Sequence, residues 1–170
     1  MQHHSLSRQT AVTAAFWALL ALPALAAVTV TKTAELSFGK FVPGVSVGTV
    51  TISTSGARSA SGVILFNQAS AQQAAVFAVS GGTGGASCTL TVPTSVPSPL
   101  SGAGASMALS SFYASDASNS LRLSPPDSTV LITLDDFGSY TVKVGASLTV
   151  GAHQIAGNYA STFSVSVTCP

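Results

Sequence analysis

Two cysteines, Cys88 and Cys169, offer the clearest chemistry in this 170-residue chain. An even count in an exported protein reads as one disulfide. In SCTLTV, Cys88 shares its alternation with Leu90 and Val92, and in FSVSVTC, Cys169 shares its alternation with Phe163, Val165 and Val167. A strand sends alternate side chains to opposite faces, so both thiols are predicted to point inward and to pair. The competing chemistries are metal and redox work. Two sulfurs without nearby His or Asp make only half a zinc site, and no Cys-x-x-Cys is present.

Few other residue types offer catalysis or ligand binding. Beyond His3 and His4 the one histidine is His153, so a histidine general base would have to be this residue, in the polar stretch GAHQIAGN. Asp116 with Asn119, and Asp135 with Asp136, offer oxygens to calcium but lack the ligand number and spacing of a recognised loop. Gly81-Gly82-Thr83-Gly84-Gly85 lacks the Lys-Ser/Thr ending and the following helix of a phosphate cradle. No Gly-x-Ser-x-Gly elbow surrounds a serine, and no carboxylate pair is set to face a cleft. The expectation is therefore a non-enzyme with no catalytic residue, no metal and no cofactor.

Residues 1–26 read as a secretory leader. Arg8 follows His3 and His4, AVTAAFWALLAL forms an apolar run from Ala11 to Leu22, Pro23 breaks it, and Ala24-Leu25-Ala26 precedes the expected cut before Ala27. The run is too short for a bilayer span, which takes about 20 apolar residues. Removing 26 residues from 170 leaves 144, enough for one domain over 27–170 with its own core. Five cations (Lys32, Lys40, Arg58, Arg122, Lys143) then balance five anions (Glu35, Asp116, Asp127, Asp135, Asp136). Scattered cations cannot displace counterions from phosphates, so nucleic acid is not an expected partner. A hydroxyl-rich surface with no net charge does little to oppose association with its own kind. The expected location is secreted, in the periplasm or at the cell surface, with no membrane span after the leader.

The elements that must carry these residues are strands. Period two dominates: Tyr140, Val142, Val144, Ala146, Leu148 and Val150 alternate with Thr141, Lys143, Gly145, Ser147 and Thr149. Tyr159, Phe163, Val165 and Val167 repeat the pattern near the end, joined to the first strand by a connection suited to a hairpin or to a crossing between sheets. Near the start Val28, Val30, Ala34, Leu36 and Phe38 keep one phase, interrupted by Lys32. A strand from Val45 to Ile52 changes phase across Gly48, which predicts a bulge there. The apolar run Val63 to Phe66 is read as buried on both sides. Further strands are predicted at Ala75–Val79, Ser87–Val92, Met107–Phe112, Leu121–Leu123 and Thr129–Leu134. Short strands between Gly, Ser and Pro clusters argue for an all-β fold, an antiparallel immunoglobulin-like β-sandwich, with a closed barrel as runner-up.

Leu36-Ser37-Phe38-Gly39 with Pro43-Gly44, Ser55-Gly56-Ala57-Arg58, and Val150-Gly151-Ala152 leading to Gly157-Asn158-Tyr159 together resemble the bacterial domain-of-unknown-function 4402 family over nearly all of residues 27–170. That resemblance implies an exported β-rich envelope protein and brings no catalytic residues. The cysteine pair and the final Cys169-Pro170 depart from the commonest family pattern. The layout is also similar to spore-coat-U-type pilins, which assemble through a chaperone and usher. This implies a structural subunit of a surface or fimbrial assembly, with copies of itself or a pilus chaperone as partners. Val28, Val30, Ala34, Leu36 and Phe38 would then form a strand exchanged between subunits. The alternative is a free secreted binding or adhesion module whose first strand belongs to its own sandwich.

Overall fold

The computed structural model describes residues 27–66, 72–98, 106–155 and 162–170. The expected leader and the Gly157-Asn158-Tyr159 motif lie outside the described residues. Every described element is a strand: β1 (Thr29–Ala34), β2 (Ser37–Phe38), β3 (Phe41–Pro43), β4 (Gly48–Ile52), β5 (Arg58–Ser61), β6 (Val63–Leu65), β7 (Gln72–Gln73), β8 (Ala75–Ser80), β9 (Ser87–Thr91), β10 (Ser95–Ser98), β11 (Met107–Ser115), β12 (Leu121–Leu123), β13 (Thr129–Thr133), β14 (Tyr140–Val150) and β15 (Ser166–Thr168). All their pairings are antiparallel.

The predicted strand from Tyr140 to Val150 is β14, and it organises the fold. Its 11 residues take β11 on one edge and two successive partners on the other. β8 covers Tyr140 to Val144, and β4 covers Ala146 to Val150. β1 extends the sheet beyond β8, and β5 extends it beyond β4. On the far side β11 divides likewise, with β10 along its first half and β12 at its end. These eight strands form one curled sheet. Over it lies a three-stranded sheet in the order β13-β9-β15, and two short ribbons, β2-β7 and β3-β6, complete the body. The chain after β14 thus crosses from the large sheet to the small one.

Alternation places the core between these layers. Val142, Val144, Ala146, Leu148 and Val150 of β14 meet Phe77 and Val79 of β8, Leu90 of β9, Ile132 of β13 and Phe112 of β11, all at most 4% exposed. Burying each of the larger side chains contributes about 1.5–3 kcal/mol. Phe163, on the chain leading into β15, packs on the large sheet, its ring centroid 5.7 Å from that of Phe77 and 5.2 Å from that of Phe112.

The disulfide forms as the alternation predicts. Cys88 is fully buried in β9, and Cys169, one residue past β15, packs against the same core. The register Thr168 to Thr89 sets the two cysteines directly opposite each other, with Cα atoms 4.3 Å apart. The bond therefore joins neighbours within one sheet, unlike the bridge between sheets of antibody domains.

Two sequence expectations need correction, and a third holds with a change of register. β4 starts at Gly48, while Val45 and Val47 stand 82% and 65% exposed in the preceding turn, so the change of phase marks the start of a strand and not a bulge within one. Val63 to Phe66 is not buried on both sides: Val63 and Leu65 face the core, and Ile64 is 68% exposed. The first segment keeps the predicted phase, with Val28, Val30, Ala34, Leu36 and Phe38 part-buried, although the pairing of β1 with β8 shifts between Lys32 and Ala34. That shift sets Ala34 opposite Val76, while Val28, Val30, Leu36 and Phe38 pack on the core. In the isolated chain this segment is the edge strand of its own large sheet.

Candidate functional site

The polar groups weighed for chemistry each serve a turn. Asp135 Oδ1 accepts hydrogen bonds from the backbone N–H of Phe137 at 3.0 Å and of Ser139 at 2.8 Å, closing the turn between β13 and β14. Asp116 Oδ1 accepts from Ser118 N–H, the Ser118 hydroxyl and Ser120 N–H, and Oδ2 accepts from Nε and Nη2 of Arg122. The Ser118 hydrogen bond, then the Arg122 guanidinium, holds the Asp116 carboxyl down at about 2, so it is ionised at neutral pH. Lys143 closes the same turn by donating to Ala117 O and Asn119 Oδ1. His153 sits exposed with φ 51°, and its backbone N–H donates to Gly44 O at 3.1 Å. Among the described residues no three His, Cys, Asp or Glu side chains come together as metal ligands.

Ser55-Gly56-Ala57-Arg58 has two structural duties. Ser53 to Ala57 is the turn joining β4 to β5, with Gly56 at φ 83°, where a side chain would be strained. Arg58 then reaches across to the ribbons. Nη1 donates to Phe38 O at 3.0 Å and to Lys40 O at 3.3 Å, and Nη2 donates to Phe66 O at 2.5 Å. One planar guanidinium thus ties β2, β3 and the end of β6 to the edge of the large sheet. Replacing Arg58 with Lys keeps the charge but not the fork, and it is expected to lower stability by about 1.5–3 kcal/mol in chemical denaturation. A melt unchanged by Arg58→Lys would show that the three carbonyls are solvated equally well without it.

What this clamp holds in place is an apolar surface. In the β3-β6 ribbon Phe41, Val63 and Leu65 face the core, so the opposite phase faces outward. That outer face carries Val42 paired with Ile64, followed by Phe66, which is 49% exposed and donates its N–H to Lys40 O. Val45 and Val47 extend the surface past Gly44, which the hydrogen bond from His153 ties to the turn after β14. Sequence reasoning missed this surface. Its signal was the phase of Val45 and Val47, opposite to that of Val50 and Ile52.

At the other end of β14, Phe137 stands 89% exposed on the tip of the turn that Asp135 closes. A hydrogen bond from Gly82 N–H to Gly138 O braces that turn. Beside it lie both ends of the described chain, where Ala27, Val28, Val167, Cys169 and Pro170 line a cleft of about 390 Å³. The residues considered for strand exchange therefore divide, with Val28 at the cleft, Val30 on the edge strand, and Leu36 and Phe38 near the ribbons.

A family model described as "Domain of unknown function (DUF4402)" matches residues 28–168. No curated protein and no solved structure matches the chain.

Proposed function

The chain belongs to the DUF4402 family, whose description assigns no activity, and from that premise we propose that it is an exported, non-catalytic structural subunit of a bacterial surface or fimbrial assembly. The observation that carries this reading is the apolar surface of Val42, Val45, Val47, Ile64 and Phe66, held by Arg58 on a body with little charge. Scattered apolar side chains are ordinary on protein surfaces, but Val42, Ile64 and Phe66 share the outer face of one fixed ribbon, which marks a place where another molecule packs. The expected leader, with a cut before Ala27, fits the same reading. An immunoglobulin-like arrangement of the two packed sheets belongs to it as the finer description of the fold.

The test is self-association of the full chain, expressed for export and purified. Sedimentation velocity over a wide concentration range should give species larger than the monomer that grow with concentration. A second arm adds a peptide spanning Ala27 to Phe38: inhibition of assembly would assign β1 to strand exchange, and assembly indifferent to it would leave β1 as the edge strand of its own sheet. A chain that stays monomeric throughout would favour the free binding module instead.

A further inference from the structure

Two exposed apolar features lie toward opposite ends of one strand, each beside charge of opposite sign. β14 has 11 residues, which at about 3.3 Å per residue separates its ends by roughly 33 Å. Before Tyr140 comes the turn bearing Phe137, flanked by the exposed carboxylates Asp135 and Asp136. Toward the Val150 end lie exposed Val45 and Val47, and from there the ribbon bearing Val42 and Ile64 runs back to Phe66, with exposed Lys40 opposite it. We infer that the turn bearing Phe137 of one copy docks on the β3-β6 ribbon of the next, so that subunits join head to tail.

This inference rests on the assembly reading above and specifies the two faces that meet. The occupant is a second copy because this chain carries both halves of the match: a projecting aromatic beside two acids, and an apolar face beside a base. Either half paired with its own copy would bring charges of one sign onto a shared face, the acids in a pairing of turns and Lys40 in a pairing of ribbons. A contact between two different faces does not close on itself as a dimer and propagates into a line or a ring. Phe137 is rigidly presented by backbone hydrogen bonds to Asp135, so little conformational freedom is lost when it docks.

The decisive experiment uses two single variants and their mixture. Phe137→Asp destroys the turn's face and Ile64→Asp destroys the ribbon's face, and both positions are exposed enough that the monomer should fold as judged by circular dichroism and melting. Each variant alone should associate at least about tenfold more weakly than the wild type, as loss of a central anchor does. Mixed one to one, each retains the face the other lacks, so the pair should form a dimer and nothing longer. Wild-type assembly left intact in Phe137→Asp or in Ile64→Asp would overturn the head-to-tail contact while leaving the assembly reading standing. A mixture that stays monomeric would also overturn it, because a head-to-tail contact needs only one intact face on each partner. A wild type that never associates would defeat both readings at once.

Discussion

Replacing Cys88 with Ala and Cys169 with Ser is expected to lower the free energy of unfolding by roughly 4 to 5 kcal/mol, a large share of what holds a domain of this size together. The bond closes a loop of 81 residues, and chain entropy released on opening such a loop sets that scale. Its position makes the loss local as well as global. β15 is only three residues long and lies at the edge of the small sheet, where, among the described strands, β9 alone pairs with it. Without the bond, Ser166 to Cys169 should fray first, and Val167 and Val165 would lose the partner strand that keeps them on the core. Alanine is the better replacement at Cys88 because that site is fully buried and a serine hydroxyl would have to find a partner there. Urea denaturation of oxidised wild type against the double variant measures the difference, and hydrogen exchange at Thr168 reports the fraying. Equal midpoints with equal slopes would show that the staple contributes nothing beyond what packing already provides.

Period two is a local signal, and what it controls is visible in the chain itself. The bounds of β14 and the inward phase of Cys88 and Cys169 follow directly from alternation. Partner choice does not, because each strand face is only apolar or polar and many strands satisfy the same rule. β5 was invisible for this reason: Arg58-Ser59-Ala60-Ser61 is an edge strand with no buried side chain to announce it. β10 was hidden by Pro97, a residue that suits an edge and argues against a central strand. The bulge between Lys32 and Ala34 was illegible because alanine fits either phase. Exposed apolar residues are the hardest case. Ile64 sits in the run VILF, which composition reads as core, and only the pairing with β3 reveals which side of that run is outside.

Gly145 shows how a position of ordinary appearance can govern the fold, and Gly145→Val is expected to destabilise it by upwards of about 3 kcal/mol. In the alternation Thr141, Lys143, Gly145, Ser147, Thr149 it takes an outward, polar place, where a larger residue looks harmless. Yet β14 changes partner at this residue, from β8 at Val144 to β4 at Ala146. The chain leaving β4 turns away over the gap, so a Cβ at Gly145 would run into Ile52 O and lie 2.8 Å from Ser53 C and 3.0 Å from Thr54 N. All three are backbone atoms, which cannot swing aside as a side chain can. On the opposite edge β11 compensates for the same bend with a register shift between Ser110 and Tyr113, where Ser111 adopts φ 51°. Relief of the clash would therefore require lifting the turn from Ser53 to Ala57, and with it Arg58, whose guanidinium holds both ribbons. The curl of the large sheet and the placement of the apolar surface are thus coupled through one missing side chain. Thr141→Val, in the same outward phase of β14, is the control and should change stability by no more than about 0.5 kcal/mol. If Gly145→Val melts with the control, the turn does not rest on β14; if it unfolds or loses self-association together with stability, the partner change at Gly145 is what sets the ribbon in place.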